Sequence, residues 1–550
     1  MVDYIYLADN LHIIMKKIFL FAFFPLFALP VFAQEPAYVD LYSTKDFSTE
    51  LWASGNTSYF KYQYVDEEKQ KSWWETEDGT PTIPGENNNL WVIADTTKGT
   101  GIVSGYGNVP LTIHDLNYVL KTSYPEFALI GAGGLDINIK GDFNVTLEEC
   151  YATWNPSHFV VSLGSKDDAS QMGNTYHVYG DMNIVNKAAK TSDGVFPQGL
   201  KITLRNNYIS TQSGSNYYTT QIQQNCTFQI DGDLVFSQTP GLASQDDLNA
   251  QKMMLNTSLT NFIVGGVVDM TPLYTSTVNH ESLTEWNLKS KMGAKSESLS
   301  ADAAFDSNIT IGGLKGSALL TATEDYEAAS HKINMTFTNK VDAEWRGAFK
   351  NDGGTQFHLK MDSSATHSQT MVFSDKSATN SATGLLVDSV TVSGGTLLFQ
   401  NQSSLGNGEL VLDGGKFGAL GDGVSFASAT LKSGDLLISN KDSFAAGIYA
   451  LSLGAVSKDG SEKVGIDFDG FDASLLIGEP AYTLIFCESL SGFSDDANDD
   501  FIAKNLMGAL ANFAWDGNML TVSFSQVPEP AAMATILGAL ALGFALRRRR

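Results

Sequence analysis

The feature that most limits how this chain can fold is a short strand unit with a glycine-bearing bend at its centre, repeated along the sequence. It is clearest between Leu385 and Leu453. There Val390-Thr391-Val392-Ser393-Gly394-Gly395-Thr396-Leu397-Leu398-Phe399 is followed by Leu410-Val411-Leu412-Asp413-Gly414-Gly415-Lys416-Phe417, and residues 429–438 carry Gly434-Asp435 in the equivalent place. Successive units start about 20 residues apart. Upstream, the same form appears as Ile139-Lys140-Gly141-Asp142-Phe143, Val178-Tyr179-Gly180-Asp181-Met182 and Ile230-Asp231-Gly232-Asp233-Leu234. Apolar and polar residues alternate on both sides of each bend, which is the period of a half-buried strand. Gly-Asp supplies a turn from one strand to the next. A coil of about 20 to 25 residues cannot bury its own apolar face, but coils stacked about 4.8 Å apart share a continuous core. The expected fold is therefore all-β, a parallel solenoid capped at both ends. A β-sandwich array would also supply short strands with glycine turns and is the alternative, although sandwich strands need not recur at one spacing.

The stretch 385–453 resembles the autotransporter-associated beta-strand repeat, whose members stack as right-handed parallel β-helices. The resemblance covers about 60 residues well and about 300 loosely. It implies a right-handed β-helix for the body of the chain. It does not imply an activity, because parallel β-helices include adhesins as well as polysaccharide lyases and hydrolases.

The two ends read as export and sorting signals. Met15-Lys16-Lys17 precedes an apolar run from Ile18 to Phe32, broken only by Pro25 and Pro30, and Val31-Phe32-Ala33 stands before Gln34. That is a basic n-region, an h-region and a small-residue cleavage site, so residues 1–33 are an expected signal peptide with Met15 as its start. The run is too short and too rich in proline for a spanning helix. At the other end Val527-Pro528-Glu529-Pro530 precedes an apolar stretch, 531–546, closed by Arg547, Arg548, Arg549 and Arg550. Sixteen helical residues reach about 24 Å, near the ~30 Å of a hydrocarbon layer, and four arginines would stop translocation. Motif, transmembrane helix and basic tail together resemble the PEP-CTERM sorting signal. The resemblance implies processing by an exosortase near the Pro-Glu-Pro, as the signal peptide implies a signal peptidase. A tail anchor that is never cut is the alternative.

Charge narrows the partners. The 550 residues carry a net charge of -26, and without residues 1–33 and 531–550 the remainder stands near -30 with only Arg205 and Arg346 as arginines. Such a surface repels phosphate backbones, so no nucleic-acid partner is expected. Two arginines 141 residues apart do not suggest a uronate site. Cys150, Cys226 and Cys487 have no zinc spacing; a Cys150–Cys226 bridge or three buried thiols are both compatible with them.

Two flanks differ in texture from the repeats at 91–459. Residues 34–90 hold Trp52, Tyr59, Phe60, Tyr62, Tyr64, Trp73 and Trp74, with Trp91 just beyond, and read as an aromatic N-terminal cap or a sugar-stacking platform. In 460–526, a C-terminal cap, Tyr482 to Cys487 reads as a strand. Phe501, Leu506, Leu510 and Phe513 fall at helical spacing, and Asp516-Gly517-Asn518 turns into a strand from Leu520. No nucleophile, P-loop or H-E-x-x-H motif appears, so no catalytic residue is assigned. The histidines beyond residue 33 (His114, His158, His177, His280, His331, His358 and His367) do not cluster. Asp467, Asp469 and Asp472 around Gly470, and the group Asp495, Asp496, Asp499 and Asp500, are candidate calcium ligands or solvated acidic loops; neither has EF-hand spacing. These readings converge on an exported, surface-associated structural or adhesive protein of a Gram-negative envelope or exopolysaccharide matrix. A carbohydrate-active enzyme, lyase or glycoside hydrolase, in the same fold is the alternative.

Overall fold

The computed structural model describes residues 38–43, 64–66, 69–71, 74–80, 82, 84–95, 104–106, 111–122, 126–132, 136–150, 157–163, 174–187, 199–206, 208–213, 216–222, 226–238, 252–271, 284–288, 306–322, 332–351, 355–375, 377–378, 384–400, 406–420, 424–438, 451–527, 537–541, 544 and 547. Residues 1–39 and 40–550 are separate compact units, and the ladders below belong to the second.

The fold is all-β, and its strands pair in parallel ladders. A first ladder begins Leu111–Ile113, Ile137–Ile139, Thr175–Val178, Thr227–Ile230 and Asn261–Val264. It continues through Ser307–Ile311, Lys332–Phe337, Gln356–Met361 and Leu385–Val392. A second ladder lies just across the bend: Asn88–Asp95, Leu116–Thr122, Phe143–Cys150, Met182–Asn186 and Leu234–Gln238. Both belong to one 29-stranded sheet, and a separate 8-stranded sheet runs from Ser104–Tyr106 to Phe349–Asn351 as a third parallel ladder. Sustained parallel pairing is not that of a β-sandwich, whose strands run antiparallel.

Register explains the core. Ile113, Ile139, Val178, Ile230, Val264, Ile311, Phe337, Met361, Val392 and Leu412 are direct neighbours down the first ladder, and every one is fully buried. Because side chains alternate at period 2, a one-residue slip would move this whole column to solvent. Aromatic side chains continue the stacking. Tyr176 lies on Phe228 with centroids 5.0 Å apart and planes 7° apart, and Phe373, Phe399, Phe417 and Phe426 meet edge-to-face at 5.2 to 5.4 Å. Pairs of this kind add about 1 kcal/mol each beyond the area they bury. Cys226 and Cys487 are buried in this core, while the side chain of Cys150 lies outside the description; burial pushes the Cys487 thiol up to about 12.

The bends lie where the Gly-Asp units place them, between the first and second ladders, but the glycine is there for a different reason. Gly141, Gly180, Gly232 and Gly266 do not have the positive φ that only glycine adopts easily. Instead, a Cβ at each would collide with the aspartate carboxylate of the preceding rung, that of Asp115, Asp142, Asp181 and Asp233 respectively. Each of those carboxylates accepts the next backbone N–H along the stack: Asp115 from Asp142 at 2.8 Å, Asp142 from Asp181 at 2.9 Å, Asp181 from Asp233 at 2.7 Å and Asp233 from Val267 at 2.6 Å. Glycine clears the space, and aspartate fills it with an acceptor for a donor that has turned out of the ladder.

The uniform 20-residue step does not extend along the chain. Those four corner bonds span 27, 39, 52 and 34 residues. Only from Val390 to Leu410 to Ala429 does one rung take 20 and then 19 residues. The short rungs begin beyond the last bridge of the third ladder among the described residues, Lys350 to Ala378. Rungs with a third strand need more chain, so there are fewer of them than a fixed step implies. In the short rungs Gly395, Gly414 and Gly434 do take positive φ, of 51°, 109° and 95°.

At the C-terminal end the ladders continue past residue 459. Val464–Asp467, Tyr482–Ser491 and Phe501–Lys504 are further parallel rungs. The helical reading of Asp499 to Phe513 is overturned: the helix is only Ala497–Asp500, and strands Phe501–Lys504 and Ala509–Asp516 follow. Phe501 and Phe513 are buried by ladder pairing and a hairpin, which outweigh their helical spacing. Strand Met519–Gln526 completes that hairpin across the Gly517 turn and pairs antiparallel with Tyr482–Ser491, closing the parallel stack. At the other end Tyr42 and Ser43 pair antiparallel with Glu75 and Trp74.

Candidate functional site

The outward positions of the first ladder form a continuous polar surface among the described residues. One in-register row reads Asn308, Asn334, His358, Ser389, Glu409 and Ser428; the adjacent row reads Thr310, Thr336, Lys360, Thr391, Val411 and Thr430. Neighbours touch both within a row and between the rows. Asn334 Nδ2 donates to Asn308 Oδ1 at 3.0 Å, His358 Nδ1 lies 2.6 Å from Ser389 Oγ, and Thr430 Oγ1 donates to Glu409 Oε1 at 3.3 Å. On the second ladder Asn183 donates to Asn144 and Asn144 to Asn117, each at 2.9 Å.

Across three rungs of the first ladder this surface holds a cleft of about 300 Å³. Lys332, Asn334 and Thr336 line it from one strand, His358 and Lys360 from the next, and Ser389 and Thr391 from the third. Burial holds the His358 imidazole below its ordinary value, against the carboxylate of Asp388, so it is neutral at pH 7. Its contact with Ser389 has the reach of a nucleophile and base, and His358 Nε2 lies 3.4 Å from Gln356 Oε1. Acyl transfer also needs donors aimed at an oxyanion, and the backbone N–H groups here run within parallel ladders on both sides.

The acidic triplet is drawn apart. Asp467 is 1% exposed and forms an ion pair with Lys416, while its Oδ1 accepts from Asn505 Nδ2 and from the Asp469 backbone N–H, both at 2.9 Å. Burial pushes its carboxyl up, but the bonds from Lys416, Asp469 and Asn505 outweigh burial and hold it below the usual range. Asp469 sits at φ 50° in the same loop. Asp472 is turned to the backbone N–H of Ser474 at 3.0 Å, which lowers its carboxyl. A calcium ion at Asp467 would have to displace Lys416. In the second group, Asp496 caps the short helix through Asn498 and Asp500 accepts from Ser494. Among the described residues, no three His, Cys, Asp or Glu side chains stand together as a metal site.

The histidines are dispersed, and each described one has a local partner. His114 meets Asp115 at 3.0 Å, His177 meets Asp231 at 2.9 Å and His158 meets Thr203 at 2.7 Å. His358 and His367 do not pair, since His367 turns to Thr366. His280 and His331 lie outside the described residues. Arg346 pairs with Glu344. Of the aromatic flank, Trp74 is 2% exposed and Trp91 stacks on Tyr42 at 6.4 Å; Trp52, Tyr59, Phe60, Tyr62 and Trp73 lie outside the described residues.

Of the sorting motif, Val527 follows the last strand and is 46% exposed, while Pro528, Glu529 and Pro530 lie outside the described residues. Residues 537–541 are helical, with Leu537, Leu540 and Phe544 exposed; Arg547 is exposed and Arg548 to Arg550 lie outside the description, as do residues 1–33. Among the described residues, no helix is long and apolar enough to cross a membrane. Compared with protein-family models, curated proteins and solved structures, the chain finds no match.

The reading from sequence missed the cleft. Its residues are polar positions in alternating strands from 332 to 391, without a motif, and only the pairing of Asn334 with His358 and His358 with Ser389 brings them together.

Proposed function

We propose that this chain is an exported structural or adhesive protein of the bacterial envelope or its exopolysaccharide matrix, with a right-handed parallel β-helix as its body. The observation that carries the reading is the in-register row of polar side chains, from Asn308 to Ser428, over an unbroken apolar column. A surface that repeats along a stack suits many weak contacts with a repeating polymer, in which avidity replaces single-site affinity. Right-handedness rests on the strong preference of parallel crossover connections. Export and sorting rest on the two terminal segments. Exposed Leu537, Leu540 and Phe544 next to Arg547 fit a segment that enters a membrane before an exosortase acts.

Incubation of the purified chain with acidic and neutral polysaccharides tests the first claim. Retention on a polymer without new reducing ends or unsaturated products is the expected result; turnover would make the chain a carbohydrate-active enzyme instead. Mass spectrometry of the protein from its native cells tests the second. The expected chain starts at Gln34 and ends near Pro530, and an intact Arg550 end would replace sorting by a permanent anchor.

A further inference from the structure

The cleft of about 300 Å³ on the first ladder differs from the rest of the polar face in one respect. It places two ammonium groups, Lys332 and Lys360, among hydroxyl and amide side chains on a chain of net charge -26. Taken alone, the two lysines suggest an anion site. Their surroundings argue otherwise. Lys360 Nζ is held by Asp362 Oδ2 at 2.9 Å. Asp306 accepts the backbone N–H of Lys332 at 3.0 Å, and Asp388 accepts that of Phe357 at 2.7 Å. Both carboxylates act electrostatically on His358 between them. The neighbourhood thus matches two positive charges with three negative ones, and the imidazole adds none. An acidic polymer would gain little here and would meet long-range repulsion from the remainder of the chain.

What the cleft does offer is donors and acceptors at short, fixed spacing. Asn334 faces His358 and His358 faces Ser389 across adjacent strands; Thr336, Lys360 and Thr391 form the parallel set one position along. Neighbouring strands in a sheet are about 4.8 Å apart and alternate outward residues on one strand about 6.7 Å apart, so these side chains form a two-dimensional grid of hydrogen-bonding groups. Vicinal hydroxyls, each both donor and acceptor, match such a grid without a net charge.

We propose that this cleft binds an uncharged, hydroxyl-rich saccharide segment lying along the ladder, with Asn334, Ser389 and Thr391 on its outer strands and His358 and Lys360 on its central strand as the hydrogen-bonding groups. The proposal deepens the adhesive reading and rests on it. The full-length chain carrying Asn334→Ala and Thr391→Ala changes two half-buried outward positions and keeps the buried column intact. Binding to dextran and laminarin as neutral probes, and to alginate and hyaluronan as acidic ones, is measured for the wild type and this variant. The expected result is binding to a neutral probe, weakened about 10-fold in the variant, which corresponds to about 1.4 kcal/mol, with melting temperature unchanged. A second variant, Thr391→Trp, fills the cleft and should abolish the same binding. Wild-type affinity in both variants would overturn the site and leave the adhesive reading standing. Preferential binding of alginate or hyaluronan, lost in Lys332→Ala/Lys360→Ala, would overturn the uncharged class. Failure of the wild type to bind any of the four would overturn both.

Discussion

At the Gly-Asp corners, two residue types solve one problem in adjacent rungs. The aspartate at 142 satisfies the backbone N–H of Asp181, and the glycine at 180 leaves room for that carboxylate. Gly180→Ala therefore forces a methyl group into a filled space and should cost about 1–3 kcal/mol in chemical denaturation. Asp142→Ala leaves a donor unpaired and should cost about 1–2 kcal/mol. Since Gly180 does not have positive φ, Gly180→Ala would be nearly neutral if the space beside it were open. A second residue-scale effect is acid sensitivity. Burial, and then the charges of Lys201 and Arg205, push the His158 imidazole down to about 3, against about 6.5 when unfolded. The folded chain binds this proton less readily than the unfolded one. The neutral ring's contribution is thus complete above about pH 6.5 and is lost as pH falls from there towards 3, at up to about 1.4 kcal/mol per pH unit. His358 is shifted in the same direction. Urea titrations at pH 7, 6 and 5 should show stability falling with pH, with a shallower fall in His158→Asn.

Among the elements, the last rungs are tied by charge as well as by ladders. Lys416 reaches Asp467 and Lys504 reaches Asp435, so two ion pairs cross between strands 406–420, 424–438, 464–467 and 501–504. The first pair involves a carboxylate only 1% exposed. Removing its cation leaves that charge buried, so Lys416→Met should cost about 3 kcal/mol, and Lys416→Met combined with Asp467→Asn, which removes the charge and keeps an acceptor for Asn505 and the Asp469 N–H, should recover part of the loss. Lys504 is 46% exposed, and Lys504→Met should cost under 1 kcal/mol. Equal effects of the two lysine variants would remove the distinction. Because Asp467 already holds Lys416 and Asn505, added calcium should leave the melting temperature unchanged; a rise would restore the acidic triplet as a cation site.

For the molecule as a whole, each rung pairs with the rungs beside it, so stability approaches a sum of local and nearest-neighbour contributions. Unfolding should then depart from a single two-state transition. In hydrogen exchange, Gly180→Ala should weaken protection in the rungs around 143–147, 182–186 and 234–238 while leaving 464–467 and 501–504 as protected as before. A uniform drop along the chain would indicate one cooperative unit instead.

Alternation in the strands and the Gly-Asp pairs made the strand class, the bends and the apolar column legible in the sequence, because period 2 and a bend are local properties of the chain. Three things were decided only by tertiary structure. Rung length was one: the rung from Asp181 to Asp233 takes 52 residues and carries the hairpin Tyr208–Ser213 with Asn216–Ile222, whereas the rung from Leu410 to Ala429 takes 19. The state of Phe501 to Phe513 was another, where pairing with Val464–Asp467 and a hairpin overrode helical spacing. The last was the cleft. Asn334, His358 and Ser389 are unremarkable polar positions, separated by 24 and 31 residues, until parallel register sets them side by side. Local patterns specify what a strand is; which strands lie beside each other depends on burial and hydrogen bonding summed over the whole stack.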